Sequence, residues 1–88
     1  MKVKFKNAFL KDIEKLPSNY RERIEKIVFD QIPRSDNLQM IKNLKKIRAD
    51  SLYYRIRVGD YRIGFKDRGG ELVFMRVLHR KDIYRYLP

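Results

Sequence analysis

Gly59-Asp60 stands between two runs in which polar and apolar residues alternate, Leu52–Val58 and Tyr61–Phe65. A Gly-first pair in that position predicts a two-residue hairpin turn. The turn fixes the register. Val58 pairs with Tyr61, Arg57 with Arg62, Ile56 with Ile63, and Arg55 with Gly64. Because side chains alternate between faces, Tyr54, Ile56, Val58, Tyr61, Ile63 and Phe65 share the apolar face. Tyr53, Arg55, Arg57, Arg62, Gly64 and Lys66 share the other. Arg57 and Arg62 then stand directly opposite each other, an arrangement that costs a few tenths of a kcal/mol to about 1 kcal/mol. A sheet built for stability alone gains nothing from it, whereas a sheet that holds a phosphate does. The plain alternative is that the arginines cover a solvated face. Gly64 is expected to leave an open spot beside Arg55.

The flanking segments supply the layers. Met1, Val3 and Phe5 alternate with Lys2, Lys4 and Lys6, the pattern of a short edge strand. Asn7 is a candidate cap for a helix over residues 8–16 with Phe9, Ile13 and Leu16 on one face. Ser18 is a candidate cap for a second helix ending near Ile32, with Tyr20, Ile24, Ile27, Val28 and Ile32 as its stripe, stopped by Pro33. Only Pro17 and its neighbours separate the two, so they form an antiparallel helical hairpin. Residues 34–51 read least clearly. Leu38, Ile41 and Leu44 suit one or two helical turns, and Ile47 an extended piece; Lys42, Lys45, Lys46 and Arg48 make the segment basic. Residues 66–70 form a turn. Leu72–Leu78 is apolar on both faces, which marks a central strand or one whose second face meets a partner. Pairing Lys66 with Glu71 would set Ile63 opposite Phe74 and Arg62 opposite Met75. The expected fold is α+β, in the order β-α-α-β-β-β. It is an antiparallel sheet with a helical hairpin on one face and an open basic face on the other, one domain over residues 1–88.

Composition narrows the chemistry. The 22 lysines and arginines against 11 acidic residues give a formal charge of +11, which points to a nucleic acid, an acidic protein, or both. With no cysteine there is no thiolate or disulfide, and a single histidine, His79, argues against a protein-only zinc site. No cofactor and no metal are expected. The cysteine-free composition suits a cytoplasmic protein. No apolar run reaches the ~20 residues of a membrane span, and the first ten residues do not read as a signal peptide. There is no Gly-rich phosphate loop, and no serine–histidine arrangement stands out. What remains is arginine, lysine, tyrosine and His79 beside Arg80. That inventory suits a phosphodiester, since arginine grips phosphate bidentately and tyrosine stacks on bases. A non-catalytic RNA-binding surface uses the same residues.

The runs YYRIRVGDYRIGF and VLHRKDIYRYLP, with their G-x-Y-R and terminal R-x-x-x-Y, resemble the RelE branch of the RelE/ParE toxin superfamily of type II toxin–antitoxin modules. The resemblance covers the whole chain. It implies a RelE-like microbial RNase fold and a ribosome-dependent mRNA endonuclease acting in the 30S A site through attack of a ribose 2′-hydroxyl on the adjacent phosphate. It also implies a cognate acidic antitoxin, in a hetero-oligomer or with the toxin as a monomer when free. ParE-type members inhibit DNA gyrase instead, and that activity is the alternative, as is RNA binding without catalysis. Carried over by position, Arg62 and Arg80 stabilise the transition state and help protonate the leaving group, and Tyr84 stacks on a base. Arg55 and Arg57 occupy the places of family lysines, one of them a proposed general base. Arginine stays protonated, so both are expected to clamp phosphate, with Lys42, Lys45, Lys46 and Tyr61 as further RNA contacts. His79, with an ordinary pKa near neutrality, is the candidate base, or else a structural histidine.

Overall fold

A computed structural model describes residues 1–49 and 51–87. Its elements are β1 (Lys2–Phe5), α1 (Asn7–Glu14), α2 (Ser18–Lys26), β2 (Leu44–Lys46), β3 (Tyr53–Val58), β4 (Tyr61–Arg68) and β5 (Glu71–His79), with short helical turns at Leu38–Met40 and Ile83–Arg85. The strands form one sheet in the order β1-β5-β4-β3-β2. The α+β class and the helical hairpin on one face are as the sequence implies. Two details of the sheet differ. β1 pairs with β5 in parallel, with Lys2 opposite Glu71, and β2 adds a strand of three residues beside β3. The direction of β1 depends on a partner some seventy positions away, which local alternation cannot encode.

The helices pack on the sheet through the stripes that their spacing defines. Phe9 and Ile13 from α1, with Ile24, Val28 and Ile32 from the second helix, meet Ile56, Val58, Ile63, Phe65, Leu72, Phe74 and Val77 from β3–β5. Fully burying each such side chain contributes about 1.5–3 kcal/mol. Asn7 and Ser18, expected as caps, are instead the first helical residues. Lys6 and Pro17 hold the cap positions without a side-chain hydrogen bond. α2 also runs on past Lys26. A widened turn over Ile27–Gln31, in which Ile32 N–H reaches back to Ile27 O, leads into a final turn, Ile32–Arg34. Pro33 therefore sits inside the helix. It has no N–H to give to the carbonyl four residues earlier, and the wide turn absorbs its ring.

The β3–β4 register is the one read from Gly59-Asp60, with Arg57 opposite Arg62 and Arg55 opposite Gly64. The β4–β5 register corrects the sequence reading. Arg68 pairs with Glu71 and Lys66 with Val73, so the loop is Gly69-Gly70, with φ of +59° and +93°. Both values suit the primed two-residue turn, which needs positive φ at both positions. Farther along, Gly64 pairs with Arg76 while Phe65 pairs with Phe74, leaving Met75 as a bulge. Ile63 consequently faces Val77, and Arg62 faces Leu78. The bulge shifts the phase of β5. Leu72 and Phe74 before it, and Val77 after it, all reach the helix-side core.

The second face is not wholly open. Ile83 and Leu87 are buried there, outside the helix-side core. Leu87 fills the place beside Arg55 expected to be empty: a Cβ on Gly64 would overlap its Cδ1. Among the described residues, no helix is long and apolar enough to cross a membrane.

Candidate active site and nucleic-acid interface

The face of the sheet away from the helices gathers its cations from four elements. β3 contributes Arg55 and Arg57, and β4 contributes Arg62, opposite Arg57. Lys45 on β2 pairs with Arg55 and extends the row to the sheet edge. Arg80 follows β5, and its backbone N–H donates to Asp60 O at 2.8 Å, tying it to the hairpin turn. Tyr84 rides on the C-terminal turn with 52% of its surface exposed.

Arg62 is the centre of this group. Its guanidinium is held below the ordinary arginine value first by partial burial and then by Arg55, with Arg57 and Arg80 acting in the same direction and Tyr84 opposing them. It remains a cation at any physiological pH. Nη1 of Arg62 donates to Gly59 O at 2.8 Å and to Tyr61 O at 3.0 Å, which points the guanidinium along the hairpin. Among the described residues, no carboxylate forms an ion pair with Arg55, Arg57, Arg62 or Arg80. Four like charges gathered without an ion-paired carboxylate are suited to an anion. An anion placed among them would relieve their mutual repulsion.

Two sets of interactions hold the group in place. Tyr20 of α2 packs its ring against Gly59, and its Oη accepts the Asp60 N–H at 3.2 Å. Gly59 has φ +56° and no Cβ, so the turn accepts both the backbone shape and the ring. On the other side, Asp12 of α1 accepts two hydrogen bonds from Arg76, at 2.7 and 2.9 Å, and one from Val77 N–H at 3.1 Å. The bond to Asp12 raises the Arg76 pKa despite burial. The Arg76 guanidinium lies 4.2 Å from the ring centroid of Tyr86. With Leu87 over Gly64, this stack pins the segment that carries Tyr84. Sequence reasoning passed over Asp12, Arg76, Tyr86 and Leu87. The signal for Asp12 was present: with Phe9 and Ile13 it falls at i, i+3 and i+4, a carboxylate on the buried face of a helix.

Other expected site residues lie elsewhere. Tyr61 and His79 pair across β4–β5 on the helix side. Tyr61 lies 4.6 Å from Tyr20, and His79 meets Tyr61 edge-on at 5.6 Å. The His79 Nδ1 accepts the Lys81 N–H at 3.2 Å. Asp12, Lys15 and Leu16 of the helix side share a shallow pocket with it. His79 and Tyr61 are therefore not brought to Arg62, and for His79 the Met75 bulge is the cause. Without that extra residue, strict alternation from Phe74 would have turned His79 to the arginine face. Lys46 pairs with Tyr54 and holds its Nζ 5.8 Å from that ring centroid on the helix side, although the residue also borders the groove shared by Lys45, Arg55 and Tyr84. Lys42 borders a cleft beside Arg57. Among the described residues, no three His, Asp or Glu side chains converge as metal ligands.

The profile of the family described as "ParE toxin of type II toxin-antitoxin system, parDE" matches residues 3–84. Toxin RelE3 of Methanocaldococcus jannaschii is 46% identical over 89 residues, spanning 100% of both chains. The crystal structure of the RelB–RelE antitoxin–toxin complex from Methanococcus jannaschii contains a similar chain. It superposes with a TM-score of 0.80 at 42% identity, over 97% of this chain and 99% of that one. The isolated Escherichia coli RelE toxin shares the fold, with a TM-score of 0.65 at 20% identity over 96% of this chain and 90% of that one.

Proposed function

The chain belongs to the ParE toxin family of type II toxin–antitoxin systems and is a RelE-like toxin, and from that premise we propose that it is a ribosome-dependent endoribonuclease that cuts messenger RNA in the A site. The observation that carries the reading is the gathering of Arg55, Arg57, Arg80 and Tyr84 around Arg62 on the face opposite the helices. In this reading Arg55 and Arg57 clamp the phosphates flanking the scissile bond. The ribose 2′-hydroxyl attacks the adjacent phosphorus. Arg62 and Arg80 stabilise the charge that builds on the phosphoryl oxygens and the leaving 5′-oxygen, and Tyr84 stacks on a base. Arginines cannot take the 2′-hydroxyl proton, and His79 lies across the sheet. That proton is therefore assigned to a group of the ribosome or of the RNA itself.

The same premise supplies a partner. A similar archaeal chain was crystallised with its antitoxin RelB. The +11 charge here suits an acidic antitoxin in a hetero-oligomer that covers the arginine face. The deciding experiment incubates purified toxin with a defined message, with and without ribosomes, and maps new 5′ ends. A parallel reaction measures DNA gyrase supercoiling. Cuts that need the ribosome, with gyrase unaffected, are the expected result. Gyrase inhibition with intact message would make the chain a ParE-type inhibitor. Binding to ribosomes without cuts would make it an RNA-binding protein.

A further inference from the structure

Beside the arginine group the sheet edge opens into a cleft of about 820 Å³, within the about 300–1,000 Å³ typical of ligand sites. It exists because β2 is short. Pairing ends with Leu44 opposite Ile56 and the bond from Arg57 N–H to Asn43 O, so no strand lies beside Val58 and Gly59 on that edge. Ile27, Ile41 and Val58 line the cleft, and Arg57, Arg62 and Arg80 reach it from the catalytic side. Two backbone irregularities border it. Asn43 has φ +61°, the one positive φ at a non-glycine among the described residues. Gln31 closes the widened turn of the second helix. The first is a conformation that asparagine adopts in turns and the second accommodates Pro33, and each leaves an exposed amide residue on the wall of the cleft.

Resting on the endonuclease reading, we propose that this cleft is a base-specificity subsite. It takes the nucleotide next to the scissile phosphate, and the amides of Asn43 and Gln31 read the edge of its base. The chemistry of the walls fits one nucleotide. Apolar side chains offer a face for the base, Lys42 and Arg57 meet its phosphates, and two amides supply donors and acceptors in the pattern that discriminates bases. The Asp60 carboxylate at the mouth adds an acceptor for an exocyclic amine. A protein segment would use the apolar floor too. The continuity of the cleft with three arginines of the reaction centre favours the nucleic acid.

The test uses full-length toxin, ribosomes, and a message library randomised around the A-site codon, with every cut position sequenced. The variants are Asn43→Gly, which keeps the positive φ while removing the amide, and Gln31→Ala; melting is recorded for both. Wild-type toxin is expected to prefer one base at a fixed position beside the cut. Each variant is expected to reduce the ratio of best to worst base there about 10-fold, the scale of one bidentate hydrogen-bond pair to a base edge. Variants that cut with the wild-type base distribution overturn the inference alone. The same holds if the distribution stays fixed while affinity for the co-expressed antitoxin falls, which makes the cleft a protein-docking groove. Wild-type toxin that leaves every message intact overturns the endonuclease reading and the inference with it.

Discussion

Replacing Gly64 by alanine adds one methyl group, in the place that Leu87 occupies. Leu87 is 5% exposed, and its Cδ1 lies where the new Cβ would be, so the two cannot both stay. β4 is the central strand of the sheet and does not yield, whereas the C-terminal turn is short. Leu87 should therefore lift off. Exposing a leucine costs about 1.5–3 kcal/mol, and the buried Ile83 loses part of its cover. The ladder between β4 and its neighbours remains, so the variant should stay folded and lose about 2 kcal/mol in denaturant titration. The larger effect is on activity. Tyr84 rides on the displaced segment, and moving a positioning group by about 1 Å can cost 10²-fold in rate. Gly64→Ala should accordingly cut the single-turnover rate by about that factor, while affinity for ribosomes, set mainly by the untouched cations, changes little. Pairing Gly64→Ala with Leu87→Ala removes the overlap and should recover part of the stability. Wild-type stability and rate in Gly64→Ala would refute the reasoning, since the C-terminal turn would then not be keyed to the glycine.

Further tests address single interactions. Asp12→Ala leaves Arg76 half-buried without its carboxylate and Val77 N–H without an acceptor, and should cost about 3–5 kcal/mol in denaturant titration; a loss below about 1 kcal/mol would mean that the ion pair does not brace the helix against β5. The Arg76 pKa is raised, so its part of that stability is present below the ordinary arginine value and is lost only as pH climbs through the raised one. Stability measured from pH 6 to 9 should show no slope from this pair. His79→Gln should keep the single-turnover rate within about threefold, because the imidazole faces the helices; a loss of 10² or more would return it to the chemistry. Ribosome affinity should fall steeply with salt, and Lys45→Ala should reduce the slope by about one unit for each phosphate it ceases to neutralise. A slope near zero would exclude electrostatic docking.

What was legible in the sequence follows from how local the controlling physics is. The β3–β4 register is set by two adjacent residues and a period of two, so the opposition of Arg57 and Arg62 could be read directly. The helical stripes were legible for the same reason. The β4–β5 register was not, because residues 66–70 admit several loop lengths and no local signal marks Met75 as a bulge. That one residue decides which face His79 occupies. Tyr61 is different: alternation already placed it with Ile63 and Phe65 on the apolar face, and the carried-over RNA-contact role conflicted with that parity. The parallel pairing of β1 and the seating of Leu87 over Gly64 join distant segments and leave no short-range trace.

The central claim is that Arg62 serves a phosphate and not the fold. Its burial and its arginine neighbours disfavour its charge, and the only side-chain hydrogen bonds it makes among the described residues go to two nearby carbonyls. Removing it should relieve about 0.2–1 kcal/mol of repulsion against Arg57 and forfeit two hydrogen bonds to the hairpin worth about 0.5–1.5 kcal/mol each, so that stability changes by no more than about 3 kcal/mol. On the endonuclease reading, taking its guanidinium away from the transition state should cost about 3 kcal/mol or more, on the order of 10²-fold in rate. The direct measurement is the single-turnover cleavage rate of Arg62→Ala on programmed ribosomes at saturating toxin, with melting in low salt on the same sample. The account predicts a cooperatively folded variant that has lost no more than about 3 kcal/mol of stability and a rate lower by 10² or more. An unfolded variant, or a folded one that cuts at the wild-type rate, would contradict it.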